Sequence, residues 1–252
     1  MEMLAVAMMA VFTAGYLVLA GADIGVGMLL PVLGRGQRER RVVIASFAPF
    51  FLAHEVWLVA LAGITAGAFP GLEHRLLEGL FPLFAVLLVA WVVRDMGLWL
   101  RGRLEAAAWR GGCDVAVVAG SWGLALAWGS LLGTIVVAGG GSESGLNAGS
   151  VLGLPLAALF AVHGAGFARL RSAGAVLERA RRVPGRFEVS AVALVAVALV
   201  AGWRLPWSQV ASSGTGLAAT AVMTAVLLPL LLAAQALVWR TFWGRVDSPS
   251  YL

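Results

Sequence analysis

The feature that most constrains this chain is a series of seven apolar segments, each long enough to cross a lipid bilayer as a helix. A membrane-spanning helix needs about 20 mostly apolar residues. Windows of that order lie at 3–33, 42–68, 76–100, 114–139, 150–168, 187–205 and 216–239. The composition agrees, since 61% of the 252 residues are hydrophobic and only 12% are charged. A soluble protein of this size cannot bury so much apolar surface, so we predict an integral membrane protein.

The apolar windows favour an all-α fold, a polytopic membrane helix bundle of about seven transmembrane helices. The strands of an outer-membrane barrel alternate polar and apolar residues over about 10 positions, and the windows show no such alternation. A Gly/Ser-rich segment at 140–149 is the best boundary between two halves. We expect a four-helix half at 1–139, an outer loop at 140–149, and a three-helix half with a cytoplasmic tail at 150–252.

The arginines predict how the bundle is oriented, because positively charged loops stay on the cytoplasmic side. All 18 basic residues are arginines, and most lie in the segments 34–41, 101–110, 169–186 and 240–245. The alternate loops contain only Arg75 and Arg204. We therefore expect the N-terminus outside and the C-terminus inside. The net charge of +5 is then a topology signal, and we expect no nucleic-acid partner.

Three ionisable residues lie at membrane depth, where such groups are costly and normally face a partner, a cavity or a pathway. His54 and Glu55 interrupt the apolar run "FFLAHEVWLVALAG", Phe50 to Gly63. At about 1.5 Å per residue, a helix starting near Val42 places His54 roughly 18 Å deep, and Asp23 lies roughly 16 Å deep on the preceding helix. The sequence therefore predicts a polar cluster near the midplane. It serves either to tie helices together by hydrogen bonds or to carry a proton or ligand.

The other residues with metal or cofactor chemistry predict no site in this chain. Cys113 is the single cysteine, which excludes a disulfide within the chain and a cysteine metal cluster. His163 lies about 9 Å from the inner face, so it is too far in depth from His54 for both to bind one haem. The run "GADIGVG" at 21–27 lies within a membrane helix, and its glycines favour close helix packing. We predict no metal and no catalytic residue.

Several motifs in this order are similar to subunit II of the cytochrome bd-type quinol oxidases. They are "GADIGVGML" (21–29), "GRGQRERRVVIASFAPFFLAHEVWLV" (34–59), "VVRDMGLWLRGR" (92–103), "GSWGLALAWGSLLG" (120–133), "HGAGFARLRS" (163–172) and "PLLLAAQALVWRTFWGR" (229–245). The resemblance covers nearly the whole chain, and the "ERR" and "EVWL" signatures are specific.

This resemblance implies a haem-free subunit that packs against subunit I, which carries haems b and d and the quinol site. The complex oxidises quinol and reduces dioxygen to water with protons drawn from the cytoplasm, and this chain alone is not catalytic. The implied location is the prokaryotic cell (inner) membrane. The implied partners are subunit I, the lipid bilayer and small accessory single-helix subunits.

The chain departs from the family pattern in two places. The usual "APxWDGNEVWL" is here "APFFLAHEVWL", so Leu52 replaces the acid associated with proton delivery, and His54 replaces an asparagine. Glu55 matches the family and lies one turn beyond Leu52 on the same helix face. We therefore expect Asp23, His54 and Glu55 to form a proton path or polar cluster. The family usually has nine membrane helices, and the pair missing here falls near 208–216.

Three further residues are expected to have packing roles. Arg94, near the inner end of the third helix, is interpreted as structural or in contact with another subunit, with a stem that can extend to the interface. Trp57 belongs to the "EVWL" signature, and His163 is expected to hydrogen bond across helices.

Two alternatives stay open. One is a stand-alone proton-coupled transporter or channel with Asp23, His54 and Glu55 as its midplane site. The other is a complex that passes electrons from quinol to an acceptor other than oxygen, because the acceptor site would lie in the partner.

Overall fold

The computed structural model describes residues 1–139, 148–212 and 214–248. Its helices are α1 (Glu2–Met28), α2 (Leu30–Leu33), α3 (Gln37–Phe47), α4 (Phe51–Ala68), α5 (Pro70–Leu100), α6 (Ala107–Ala138), a 3-10 helix (Ala148–Leu152), α7 (Gly153–Arg171), α8 (Gly174–Arg182), α9 (Phe187–Trp203), α10 (Trp207–Val210) and α11 (Thr215–Thr241). Within the described ranges, the only β-type pairing is an isolated bridge between Ser172 and Val246. The all-α prediction is confirmed.

Six helical segments are long and apolar enough to cross a membrane: α1, α4, α5, α6, residues 148–171 and α11. A seventh span results if α8 and α9, which meet at a 56° bend, are counted as one. These numbers confirm the prediction of about seven membrane helices. The predicted boundary at 140–149 lies mostly outside the described residues, so the division into two halves stays a prediction.

Helix α1 is the centre of the bundle and packs against α4, α6, α7 and α9. Every residue from Ala20 to Met28 is buried. The crossing with α7 is close because glycines face each other: a Cβ on Gly25 would overlap the carbonyl oxygen of Phe160, and a Cβ on Gly164 would overlap the backbone of Gly25. Asp23 is thereby carried into the interior of the bundle.

The second apolar window is not one continuous helix, contrary to the expectation for 42–68. Helix α3 ends at Phe47 and α4 begins at Phe51. Pro49 lies between them, and proline lacks the N–H of the helix ladder and clashes with the preceding turn. The depth of roughly 18 Å estimated for His54 assumed a straight helix from Val42. Because the helix is broken before Phe51, that estimate does not hold.

The arginine-rich segments meet at one end of the bundle. The Nε atom of Arg179 donates to the carbonyl of Leu33 over 2.7 Å, and Arg171 donates to the carbonyl of Gly244 in the C-terminal tail. At the other end, Nε of Arg204 donates to the carbonyl of Val136 over 2.8 Å. This separation agrees with the arginine pattern, and the assignment of the arginine-rich end to the cytoplasm stays a prediction.

Candidate functional site

Asp23 and His54 form a buried pair between α1 and α4. The Nδ1 atom of His54 lies 2.6 Å from Oδ2 of Asp23, and the two side chains are 0% and 1% exposed, respectively. A carboxylate oxygen and a ring nitrogen approach this closely only with a hydrogen between them. The pair therefore holds an exchangeable proton in the interior of the bundle.

The inward face of α4 explains why His54 reaches α1. His54, Trp57, Leu61 and Ile64 are all buried, and their spacing of three and four residues places them on one side of a helix. Trp57 packs edge-on against Phe12, with ring centroids 6.1 Å apart.

A glycine on α1 lets this inward face approach closely. A Cβ on Gly15 would overlap the ring of Trp57, so the absence of a side chain there allows α1 and α4 to come together. The structure thus places Trp57 in a packing position that holds the two helices of the Asp23–His54 pair together.

Glu55 points toward α5 and makes no bond to His54. Its Oε1 accepts a hydrogen bond from Nε1 of Trp91 over 2.9 Å and lies 3.4 Å from Nη1 of Arg94. Successive residues on a helix point about 100° apart, which explains why neighbouring His54 and Glu55 face different helices. The three predicted site residues are therefore divided between two contacts.

Arg94 is buried, with a side chain only 3% exposed. Its Nη1 also pairs with Oδ1 of Asp95 over 3.0 Å, and its guanidinium carbon lies 6.0 Å and 5.9 Å from the ring centroids of Phe47 and Phe51. The guanidinium is therefore held inside the bundle. Arg94 joins α5 to α4 through Glu55.

The charges around Arg94 do not balance. Glu55 and Asp95 share this one arginine, so the group carries an excess negative charge unless one carboxyl is protonated. An uncompensated charge at membrane depth is costly. The arrangement therefore favours retention of a proton by one of the two carboxyls.

A small cavity lies between the two polar groups. Its volume is about 10 Å³, and its lining includes Tyr16, Asp23, Glu55, Trp91 and Arg94, so it is close to the size of a single water molecule. Within the described part of the chain, Oδ1 of Asp23 and Nε of Arg94 are buried without a hydrogen-bond partner. An unpaired acceptor and an unpaired donor thus belong to residues that line the same cavity.

Part of this site opens to the outer surface of the bundle. The side chain of Glu55 is 14% exposed and that of Asp95 is 21% exposed. Leu52, Val56 and Val59 form an exposed apolar stripe beside Glu55 on α4. Two carboxylates therefore reach the edge of an otherwise apolar surface, which we call the α4–α5 face.

His163 lies outside this site. Its Nδ1 is 2.8 Å from Oγ of Ser190, its Nε2 is 2.8 Å from the carbonyl of Val18, and its ring stacks on Phe187. Both nitrogens are occupied, so His163 does not suit an axial haem ligand. Over residues 1–139, 148–212 and 214–248, no group of three or more His, Cys, Asp or Glu side chains is arranged to hold a metal ion.

The sequence alone did not identify Trp91, Asp95 or Tyr16 as parts of the site. A signal was present in "WVVRD" at 91–95, where the tryptophan, arginine and aspartate are spaced to share one helix face. The sequence alone also did not identify Asp114, which lies near the start of α6, as an ion-pair residue. Its Oδ1 accepts from Nε of buried Arg101 over 2.6 Å.

Comparison with known proteins identifies a family and several relatives. A family model described as cytochrome bd terminal oxidase subunit II matches residues 1–210. The chain is 37% identical over 114 residues to the cytochrome bd ubiquinol oxidase subunit 2 of Bacillus subtilis, covering 45% of this chain and 34% of that protein. It is 28% identical over 203 residues to a probable cytochrome oxidase subunit 2 of Haemophilus influenzae, covering 75% and 53% of the two chains.

A third relative is the cytochrome bd-I ubiquinol oxidase subunit 2 of Escherichia coli K12, which is 33% identical over 108 residues. That alignment covers 43% of this chain and 28% of the relative. The chain thus spans about half, or less, of the length of the curated relatives it matches.

Proposed function

The chain belongs to the cytochrome bd terminal oxidase subunit II family, and we propose that it is the haem-free membrane subunit of a bd-type quinol oxidase complex. In that complex a partner, subunit I, carries haems b and d, oxidises quinol and reduces dioxygen to water. This chain supports the partner and supplies part of the route by which protons reach the oxygen chemistry.

The observation that carries this proposal is the partial exposure of Glu55 and Asp95 on the α4–α5 face. Carboxylates facing hydrocarbon are costly, and in membrane proteins they normally face protein or a water-filled cavity. The apolar side chains beside them, Leu52, Val56 and Val59, suit packing against another membrane helix. Subunit I covers this face and receives the open edge of the polar site.

The proposed proton route uses the two polar groups and the cavity between them. The Asp23–His54 pair holds one proton, and the Glu55, Arg94 and Asp95 group favours holding another. A water molecule in the cavity can accept from Nε of Arg94, which keeps its protons and only orients the water, and can donate to Oδ1 of Asp23. Glu55 lines the same cavity, so the proton passes between Glu55 and Asp23 through this water. This proton route ends at Glu55 and Asp95, on the side where the partner docks.

At the exposed end of this route, the chain has Leu52 where an acidic residue is expected. The family resemblance places an acid at this position, whereas Leu52 is apolar and 53% exposed. Glu55 keeps a carboxylate one turn further along α4. We propose that Glu55 and Asp95, held by Arg94, replace the missing acid.

The experiment that tests the assignment is purification of the tagged chain in mild detergent from cells that also express the haem-bearing subunit. The purified complex should show haem absorbance, while the chain separated from its partner should show none. Val59→Trp, on the α4–α5 face, should reduce the haem that copurifies. Val192→Trp is the matched control, because Val192 is an exposed valine on α9 (70%, against 63% for Val59).

Two outcomes would contradict the proposal. Haem retained by the isolated chain would show that it is not haem-free. A chain that purifies alone and catalyses proton-coupled transport in vesicles would instead support the transporter alternative.

A further inference from the structure

A groove at the arginine-rich end of the bundle lies outside the polar site described above. It has a volume of about 240 Å³ and runs between α2, α3 and the first turns of α6. Its lining is mainly apolar, with two charged residues: Leu30, Pro31, Arg40, Gly111, Asp114, Val115, Val118 and Ala119.

The acidic residue in the groove is fully engaged. Oδ1 of Asp114 accepts from Nε of Arg101 over 2.6 Å, and Oδ2 accepts from Nη1 of Arg40 over 2.9 Å. Asp114 is 4% exposed and Arg101 is 1% exposed. Two arginines therefore surround one carboxylate, and this group has a net charge of +1.

The excess positive charge faces the groove through Arg40. Its Nε donates to the carbonyl of Gly34 over 3.1 Å and its Nη1 is held by Asp114, which leaves Nη2 without a hydrogen bond among the described residues. The Arg40 side chain is 27% exposed. Arg110 adds a second positive charge, because it lies four residues before Asp114 and shares its side of α6.

The rest of the groove is suited to a hydrocarbon chain. Val115, Val118 and Ala119 continue along α6 away from the arginines, and Val115 is 67% exposed. A Cβ built on Gly111 would meet no atom within 4 Å, so the mouth of the groove is open. Cationic groups above an apolar groove between membrane helices match the shape and charge of a phospholipid.

We propose that this groove is a specific site for a phospholipid with a net negative charge. The headgroup phosphate binds Arg40 and Arg110, and one acyl chain lies along Val115, Val118 and Ala119. A zwitterionic lipid binds less well, because its own cation is repelled by the arginines, and Asp114 has no free oxygen with which to attract it.

The test uses the full chain as purified from membranes, with any partner that accompanies it, after exchange into detergent. Native mass spectrometry compares binding of phosphatidylglycerol and of phosphatidylcholine with the same acyl chains, and inorganic phosphate is the headgroup control. Phosphatidylglycerol should be retained preferentially. Arg110→Gln should weaken its binding about fivefold, the contribution expected of one basic residue near an anionic headgroup.

Gly111→Leu tests the groove without changing any charge, because its side chain would occupy the open mouth. Gly112→Leu is the matched control, since Gly112 also has open space around it but does not line the groove. Arg38→Gln is the charge control on exposed surface of α3. Loss of preferential binding in Gly111→Leu and Arg110→Gln, but in neither control, supports the site.

Three results would overturn the proposal. The first is equal retention of the two lipids by the parent chain. The second is loss of the preference for phosphatidylglycerol when inorganic phosphate is added, which would show that the acyl chain is not bound. The third is unchanged lipid binding in Gly111→Leu. The last result can be interpreted because the substitution adds helix propensity and removes no contact.

Discussion

The ring of His54 lies 2.6 Å from the carboxylate of Asp23, and neither side chain reaches the surface. The pair links α4 to the central helix α1. Among the described residues, Oδ1 of Asp23 and Nε2 of His54 are buried without a hydrogen-bond partner.

We predict that His54→Ala destabilises the protein by about 1–3 kcal/mol, because it leaves the buried carboxylate of Asp23 without its partner. The double variant Asp23→Ala, His54→Ala should be less destabilised than the sum of the two single variants, because both polar groups are then removed. Both effects are measured as the fraction of protein that stays folded after heating in detergent. Additive single and double effects would show that the contact contributes no coupling.

Glu55→Gln keeps the size of the side chain and can keep an oxygen acceptor for Trp91, but it cannot release a proton. In the assembled complex we predict normal haem content and quinol oxidation slowed on the order of 100-fold, the range of a lost proton-transfer group. Glu78→Gln is the control, because Glu78 is 71% exposed and its carboxylate lies 3.4 Å from Nε2 of the equally exposed His74. Parent turnover by Glu55→Gln at every pH would show that Glu55 only holds helices together.

The ion pair of Glu39 with Arg179, at the arginine-rich end, should depend on pH. Oε2 of Glu39 lies 2.5 Å from Nη2 of Arg179 and accepts from the backbone amide of Arg35 over 2.8 Å. These donors, Arg179 first, hold the pKa of Glu39 below its ordinary value of 4.5. The stabilisation is therefore fully present above pH 4.5 and is lost as the pH falls through the lower pKa of the folded protein.

We expect Glu39→Gln to be less stable than the parent near neutral pH and equal to it in acid. The measurement is thermal retention of the folded fraction across that pH range. Glu178→Gln is the control, because its pair with Arg181 is exposed and should contribute little. A parent-to-variant difference that persists in acid would show that the ion pair is not its cause.

Gly25→Ala should destabilise the bundle by about 1–3 kcal/mol, the usual cost of overpacking, because its Cβ would overlap the carbonyl oxygen of Phe160 on α7. Gly63→Ala should be neutral or slightly stabilising, because a Cβ there meets no atom within 4 Å and alanine favours helix. Thermal unfolding of the two variants compares the same chemical change at a packed and an open position. Similar effects at both positions would contradict the close α1–α7 crossing.

The orientation of the bundle can be tested with reporter fusions. Fusions after Arg41, Arg103 and Arg182 should report the cytoplasm, and fusions at Gly145 and Ser212 should report the outside, because arginine-rich loops are retained inside. A C-terminus that reports the outside would mean that the number of spans has the wrong parity.

The membrane class and the approximate number of spans followed from the sequence alone. Hydrocarbon thickness fixes how many apolar residues a span needs. The sequence also grouped Asp23 and His54 in one polar cluster, and the structure brings them to 2.6 Å, although the break between α3 and α4 removes the depth count used for His54.

Only the tertiary structure decided which neighbouring helix each side chain faces. Glu55 faces Trp91 and Arg94 on α5 rather than His54, and Arg101 is buried against Asp114 although it lies in an arginine-rich loop segment. Both outcomes depend on which helices are neighbours and how closely they cross. In an apolar chain nearly every helix face can contact lipid or protein, so hydrophobic periodicity carries little information about neighbours. Contacts such as Gly25 against Gly164 choose among them, because only glycine permits the backbones to meet.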